Sequence, residues 1–171
     1  MTPRRLLDGL YDGAAALAAV CMVGLLVMVL LSVLGRQLDF NLQGADAYAG
    51  YLMAASGFLA LAHTLKRGEH IRVTLVVGAL KGGSRRGLEL WSLFAGSALA
   101  LLFAGYSIRL SWQSWRFHDI STGNDATPLW LPQLAMAIGT SILALALIDE
   151  LVLELRGRRV QVQSEEAAHS E

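Results

Sequence analysis

The side chains able to do chemistry are few and widely separated in this sequence. Its histidines are His63, His70, His118 and His169, and Cys21 is its one cysteine. A lone thiol forms neither an internal disulfide nor a cysteine metal cluster, and a quinone-linked thiol oxidase would need pairs. Cys21 lies within an apolar run and reads as a packing residue. Among the histidines only His63 falls inside an apolar stretch, where it suits a hydrogen-bonded or interfacial residue or a functional contact. The remaining polar groups form three sets. Arg36 and Asp46 flank a short connection and can pair with each other or face a neighbour. His70 and Arg72 stand together after the second apolar stretch. Asp119, Ser121, Thr122 and Asp125 lie in one small-residue segment. None of these sets composes a catalytic group, so no enzyme activity is expected.

The elements that must position these residues are written in the composition. Of 171 residues, 54% are hydrophobic and 16% charged, against roughly 25% charged in a soluble domain. Stretches without Asp, Glu, Lys or Arg run 13–35, 47–65, 90–108 and 126–148. Each is close to the ~20 residues that cross a ~30 Å hydrocarbon core. This excludes a soluble globule. The 14 basic and 14 acidic residues cancel, which removes the charge excess that drives nucleic-acid binding. The predicted fold class is an all-α integral membrane protein with four transmembrane helices. A single domain, 1–159, carries spans at about 12–35, 46–65, 88–110 and 128–153, followed by a solvated tail over 160–171.

Basic residues set the expected orientation. Eleven Lys and Arg lie before the first span, between the second and third, and after the fourth, while only Arg36, Arg109 and Arg116 occupy the other connections. The positive-inside rule therefore puts both termini in the cytoplasm. The first apolar run is too long for a secretory h-region of ~7–15 residues and is expected to remain as a helix. Tyr11, Tyr48, Tyr51, Trp91, Trp112, Trp115 and Trp130 mark the span ends as an interfacial belt.

Between the second and third spans, Ile71, Leu75 and Ala79 recur every four residues beside Val76 and Leu80. The spacing predicts a short interfacial amphipathic helix over about 70–81, with a strand-like turn as the competing reading. Thr127 and Pro128 predict an N-cap and first helical position for the fourth span. Small residues repeat at intervals of four along the third span, at Ser92, Gly96, Ala100 and Ala104. Such a stripe packs helices within the bundle or docks another membrane subunit.

The order of these features resembles a known family. Arg36 closes the first span, Asp46 opens the second, Gly68-Glu69-His70-Ile71-Arg72-Val73 follows it, and Thr127-Pro128-Leu129-Trp130-Leu131-Pro132-Gln133 opens the fourth. Together, over about residues 10–155, they resemble the small membrane subunit of tripartite ATP-independent periplasmic (TRAP) transporters. The resemblance implies a small scaffold subunit of a sodium-coupled secondary transporter in the bacterial inner membrane, importing organic acids of the dicarboxylate type or related carboxylates. It implies as partners a large elevator subunit, which would bind substrate and sodium, and a periplasmic substrate-binding protein. No cofactor is expected in this chain. Arg36, Asp46, His70, Arg72, Ser92, Gly96 and Ala100 are then candidates for contact with the large subunit or with membrane lipids. Asp119, Ser121, Thr122 and Asp125 are candidates for docking the binding protein. The spans' lack of acidic and basic groups suits a scaffold rather than an ion path. The alternative is a haem-bearing anchor of a respiratory enzyme, for which His63 lacks an evident partner within the spans.

Overall fold

The computed structural model describes residues 3–40, 43–66, 83–123 and 125–156. Four helices make up most of them: α1 (Pro3–Gln37), α2 (Ala45–Lys66), α3 (Gly83–Phe117) and α4 (Trp130–Leu155). Three are long and apolar enough to cross a membrane, over Leu7–Gln37, Gly87–Phe117 and Trp130–Leu155. The first two each have 31 residues, a rise of about 46 Å that exceeds the ~30 Å hydrocarbon core. Tyr48, Tyr51, His63 and Thr64 temper the apolar character of α2. The predicted interfacial helix over 70–81, including His70 and Arg72, and the tail over 160–171 lie outside the described residues.

The helices do not pack in chain order. α1 lies on α2, α2 on α4, and α4 on α3, so two antiparallel hairpins meet through α2 and α4 and leave α1 and α3 on the flanks. At the central contact Gly139 lets α4 approach the backbone of α2. A Cβ there would sit 2.9 Å from the Phe58 Cβ and closer still to its carbonyl. Beside it, Tyr11 and Ala14 of α1, Ala62 of α2, and Ile142 and Ala146 of α4 form one buried cluster.

The contact between α3 and α4 uses a different repeat from the one expected. The buried positions of α3 are Leu93, Ser97, Ala100, Ala104, Ser107, Ser111 and Ser114, alternating steps of four and three. A 3.5-residue period keeps one seam against a neighbour crossing at a shallow left-handed angle, whereas a strict step of four drifts off it. Ala100 and Ala104 accordingly pack with Ala144 and Leu147 of α4. Gly96 faces Leu147 across a gap a Cβ would nearly fill, and Ser92 is exposed.

Two helices close in the same way, and neither uses glycine. Phe40 N–H donates to the Gly35 carbonyl at 2.9 Å, with Asp39 left-handed at φ 54°. Asp119 N–H donates to the Ser114 carbonyl at 3.0 Å, with His118 at φ 55°. Both are Schellman closures, in which bonds reaching back five residues satisfy the last carbonyls. Asp and His are among the side chains that tolerate this region. The second closure lies past the predicted end of the third span at 110, because α3 continues as helix through Phe117.

The start of α4 also differs from expectation. The helix begins at Trp130 after Leu129, which offers no side-chain cap. Thr127 and Pro128 instead serve the preceding loop, whose Ile120 and Pro128 form an isolated antiparallel bridge. Ser121 N–H donates to the Thr127 carbonyl at 2.8 Å and Leu129 N–H to the Asp119 carbonyl at 3.0 Å. With its hydroxyl on Tyr48, Thr127 is drawn away from the helix start.

Candidate functional site

Polar side chains gather at the two ends of the helices. One cluster lies at the end formed by 38–40, 43–44, 118–123 and 125–129, termed the loop end. Asp125 is its centre. One carboxylate oxygen accepts from the Tyr51 hydroxyl at 3.0 Å and the other from Ser121 Oγ at 2.8 Å. Thr127 Oγ1 lies within hydrogen-bond distance of the Tyr48 hydroxyl, 3.2 Å away, and the Tyr48 and Tyr51 rings meet edge-on. Gly44, left-handed at φ 82°, passes so close to Asp125 that a Cβ would lie 2.8 Å from the Asp125 Cβ. The loop before α4 is thereby strapped to the first turns of α2. A hydrogen bond from Thr127 favours the ionised form most, desolvation opposes it, and bonds from Ser121, Tyr51 and the backbone add to the lowering, so the Asp125 carboxyl is held down at about 2.

Beside this strap a recess of about 510 Å³ opens between the end of α1 and the start of α2, lined by Arg36, Asp39, Gln43 and Asp46 among others. Arg36 and Asp46 share it without an ion pair. Asp46 accepts from Ser32 Oγ at 3.1 Å, and Arg36 is exposed. Of the four loop residues singled out in the sequence, Ser121 and Asp125 bind each other, whereas Asp119 and Thr122 are exposed.

The opposite end holds an ionic cluster that sequence reasoning missed. Lys66, at the end of α2, contacts Asp149 and Glu150 of α4. Its ammonium lies 5.4 Å from the centre of the Tyr11 ring of α1, within cation–π range. One turn back, His63 Nδ1 lies 3.4 Å from an Asp12 oxygen. Lys66 thus ties α2 to α4 by ion pairs and to α1 through the Tyr11 ring, at one level. A signal was present: Asp12, Lys66 and Asp149 are the first charged residues beyond the charge-free stretches 13–35, 47–65 and 126–148, at ends that the alternating helices bring together.

Neither cluster presents a nucleophile with a base, and no group of three metal-ligating side chains occurs among the described residues. Their carboxylates are directed at partners on neighbouring helices, so what the two ends can do is fix helix positions. Between them, the charge-free stretches leave apolar and small side chains. No sequence among curated proteins matches the chain. A family model does match, described as "Tripartite ATP-independent periplasmic transporters, DctQ component", over residues 25–157. That match runs from the middle of α1 to the end of α4 and takes in the strap, the ionic cluster except Tyr11 and Asp12, and the helix seams between them. The chain therefore belongs to the DctQ component family, the small membrane component of TRAP transporters.

Proposed function

We propose that this protein is the stationary scaffold of a sodium-coupled TRAP transporter importing an organic acid across the bacterial inner membrane. Family membership makes it a transporter component rather than an enzyme. The observation that carries the scaffold reading is the separation of charge from the membrane interior: ionic contacts lock the helix ends, and nothing ionised lies in the stretches between them. An ion or carboxylate path would place such groups at depth, where each costs at least ~2.5–3.5 kcal/mol and is kept for function. Sodium and the organic acid then bind the large subunit.

In this reading α2 is the fourth span. Its 22 residues rise about 33 Å, enough for the hydrocarbon core, and it lies between two spanning helices. The loop end faces the periplasm and both termini the cytoplasm, in keeping with the distribution of Lys and Arg. Exposed Asp119 and Thr122 offer the binding protein a polar surface, held in place by the Ser121–Asp125 bond within the loop and by the strap from Asp125 to Tyr51 of α2. Arg36 and Asp46 face the large subunit from the recess beside it. His70 and Arg72 meet lipid phosphate or that subunit at the cytoplasmic surface.

Co-purification and uptake test this directly. The chain is expected to co-purify with its large subunit, and sodium-driven uptake of a labelled dicarboxylate into proteoliposomes is expected to require both, together with the binding protein. Undiminished uptake when this chain is omitted would overturn the proposal.

A further inference from the structure

A second recess, of about 620 Å³, lies between α1, α3 and α4. Trp130, Leu134, Ile138 and Leu145 line it along α4, Trp112 and Trp115 stand over it from α3, and Leu10 lies at its far end. From Trp130 to Leu145 is about 22 Å at helical rise, so the recess is a long apolar groove that runs from the loop end through much of a ~30 Å hydrocarbon core.

Its mouth is chemically distinct from its interior. Ser111 lines the recess, is 6% exposed, and its hydroxyl has no partner. The other lining hydroxyl, on Ser141, donates to the Ala137 carbonyl. Arg109 and Arg116 lie three residues before and four after Trp112, hence on its face of α3. Both are exposed, and neither meets an acid among the described residues. An arginine in the outer turns of a spanning helix reaches up to the headgroup layer, where a phosphate can accept its N–H groups.

We propose that this recess binds one glycerophospholipid from the leaflet at the loop end. One acyl chain lies along α4 between Trp130 and Leu145. The ester region meets Ser111 and the indole N–H groups, and the phosphate sits on Arg109 and Arg116. The proposal requires that α1, α3 and α4 cross the membrane, and is independent of what the transporter carries.

The test uses the full chain, purified in mild detergent and also in complex with its large subunit. The probe is a phosphatidylethanolamine bearing a photoreactive diazirine in its acyl chain. Labelling is expected to concentrate on the peptide holding Leu134, Ile138 and Leu145, with native mass spectrometry showing one retained lipid per chain. Exchanging Arg109→Gln and Arg116→Gln should lower retention by up to about fivefold for each arginine, as expected from up to ~1 kcal/mol for an exposed ion pair. Ile138→Trp should fill the recess and remove the α4 label while sparing label on exposed α1. Label no denser on α4 than around Val20 and Val23, or retention unchanged by the arginine exchanges, would overturn the proposal. So would loss of the α4 label in the complex, which would mean a partner helix covers it. The arginines are exposed, so their variants decide the matter even if Ile138→Trp does not fold.

Discussion

At the scale of single residues the clearest physical statement concerns Asp125. Its carboxyl titrates at about 2 because neighbouring hydroxyls hydrogen-bond the ionised form. A carboxyl with a depressed folded-state value stabilises the fold fully above its unfolded value, and the contribution fades as pH falls through the folded value. The strap is therefore expected to be intact from neutrality down to about pH 3.8 and to be lost progressively towards about pH 2. Thr127→Val should move the titration of Asp125 upward towards its ordinary 3.8, read from the carboxyl carbon by NMR. An unchanged titration would show that the hydroxyl does not support the carboxylate. The sequence exposed Asp125 as a candidate but hid its role. Composition shows a polar segment and cannot show that Tyr51, 74 positions away, reaches it.

At the scale of elements, apolar run length and the charges at its ends made the helices legible, since both follow directly from bilayer thickness. The third helix outran its expected end because charge-free length measures the hydrophobic layer, whereas helix continues until a closure such as that at His118 stops it. The packing seam was only half legible: a step of four picks out Ala100 and Ala104, while Ser97, Ser107, Ser111 and Ser114 emerge only once the neighbour's crossing angle is known. Two predictions belong here. Gly139→Leu should drive α4 off the Phe58 backbone and destabilise the protein by about 3 kcal/mol or more, at the upper end of overpacking effects, seen as a lower melting temperature in detergent. For the charge contact, Lys66→Ala should cost about 1.5–3 kcal/mol, the range for hydrogen bonds to charged groups. Adding Asp149→Asn should cost less than the sum of the two single changes. Strict additivity in that double-mutant cycle would show that the two residues do not interact.

At the scale of the whole molecule, the order α1–α2–α4–α3 leaves both flanking helices with broad apolar faces. Val20, Val23 and Leu26 on α1, and Phe94, Leu99 and Leu102 on α3, face away from the chain's own core. Locked ends and open flanks suit the scaffold role proposed above, that of a part which extends and steadies a larger membrane assembly. The charge-free stretches that led the sequence reading to a scaffold are the same stretches whose small residues close the helix seams, so one feature underlies both inferences. The most direct measurement is sodium-gradient uptake by proteoliposomes holding this purified chain alone, beside liposomes that also contain its large subunit and binding protein. No accumulation above empty liposomes is predicted for the chain alone, with uptake restored in the complete system. Gradient-driven accumulation of a carboxylic acid by the chain alone would contradict the account.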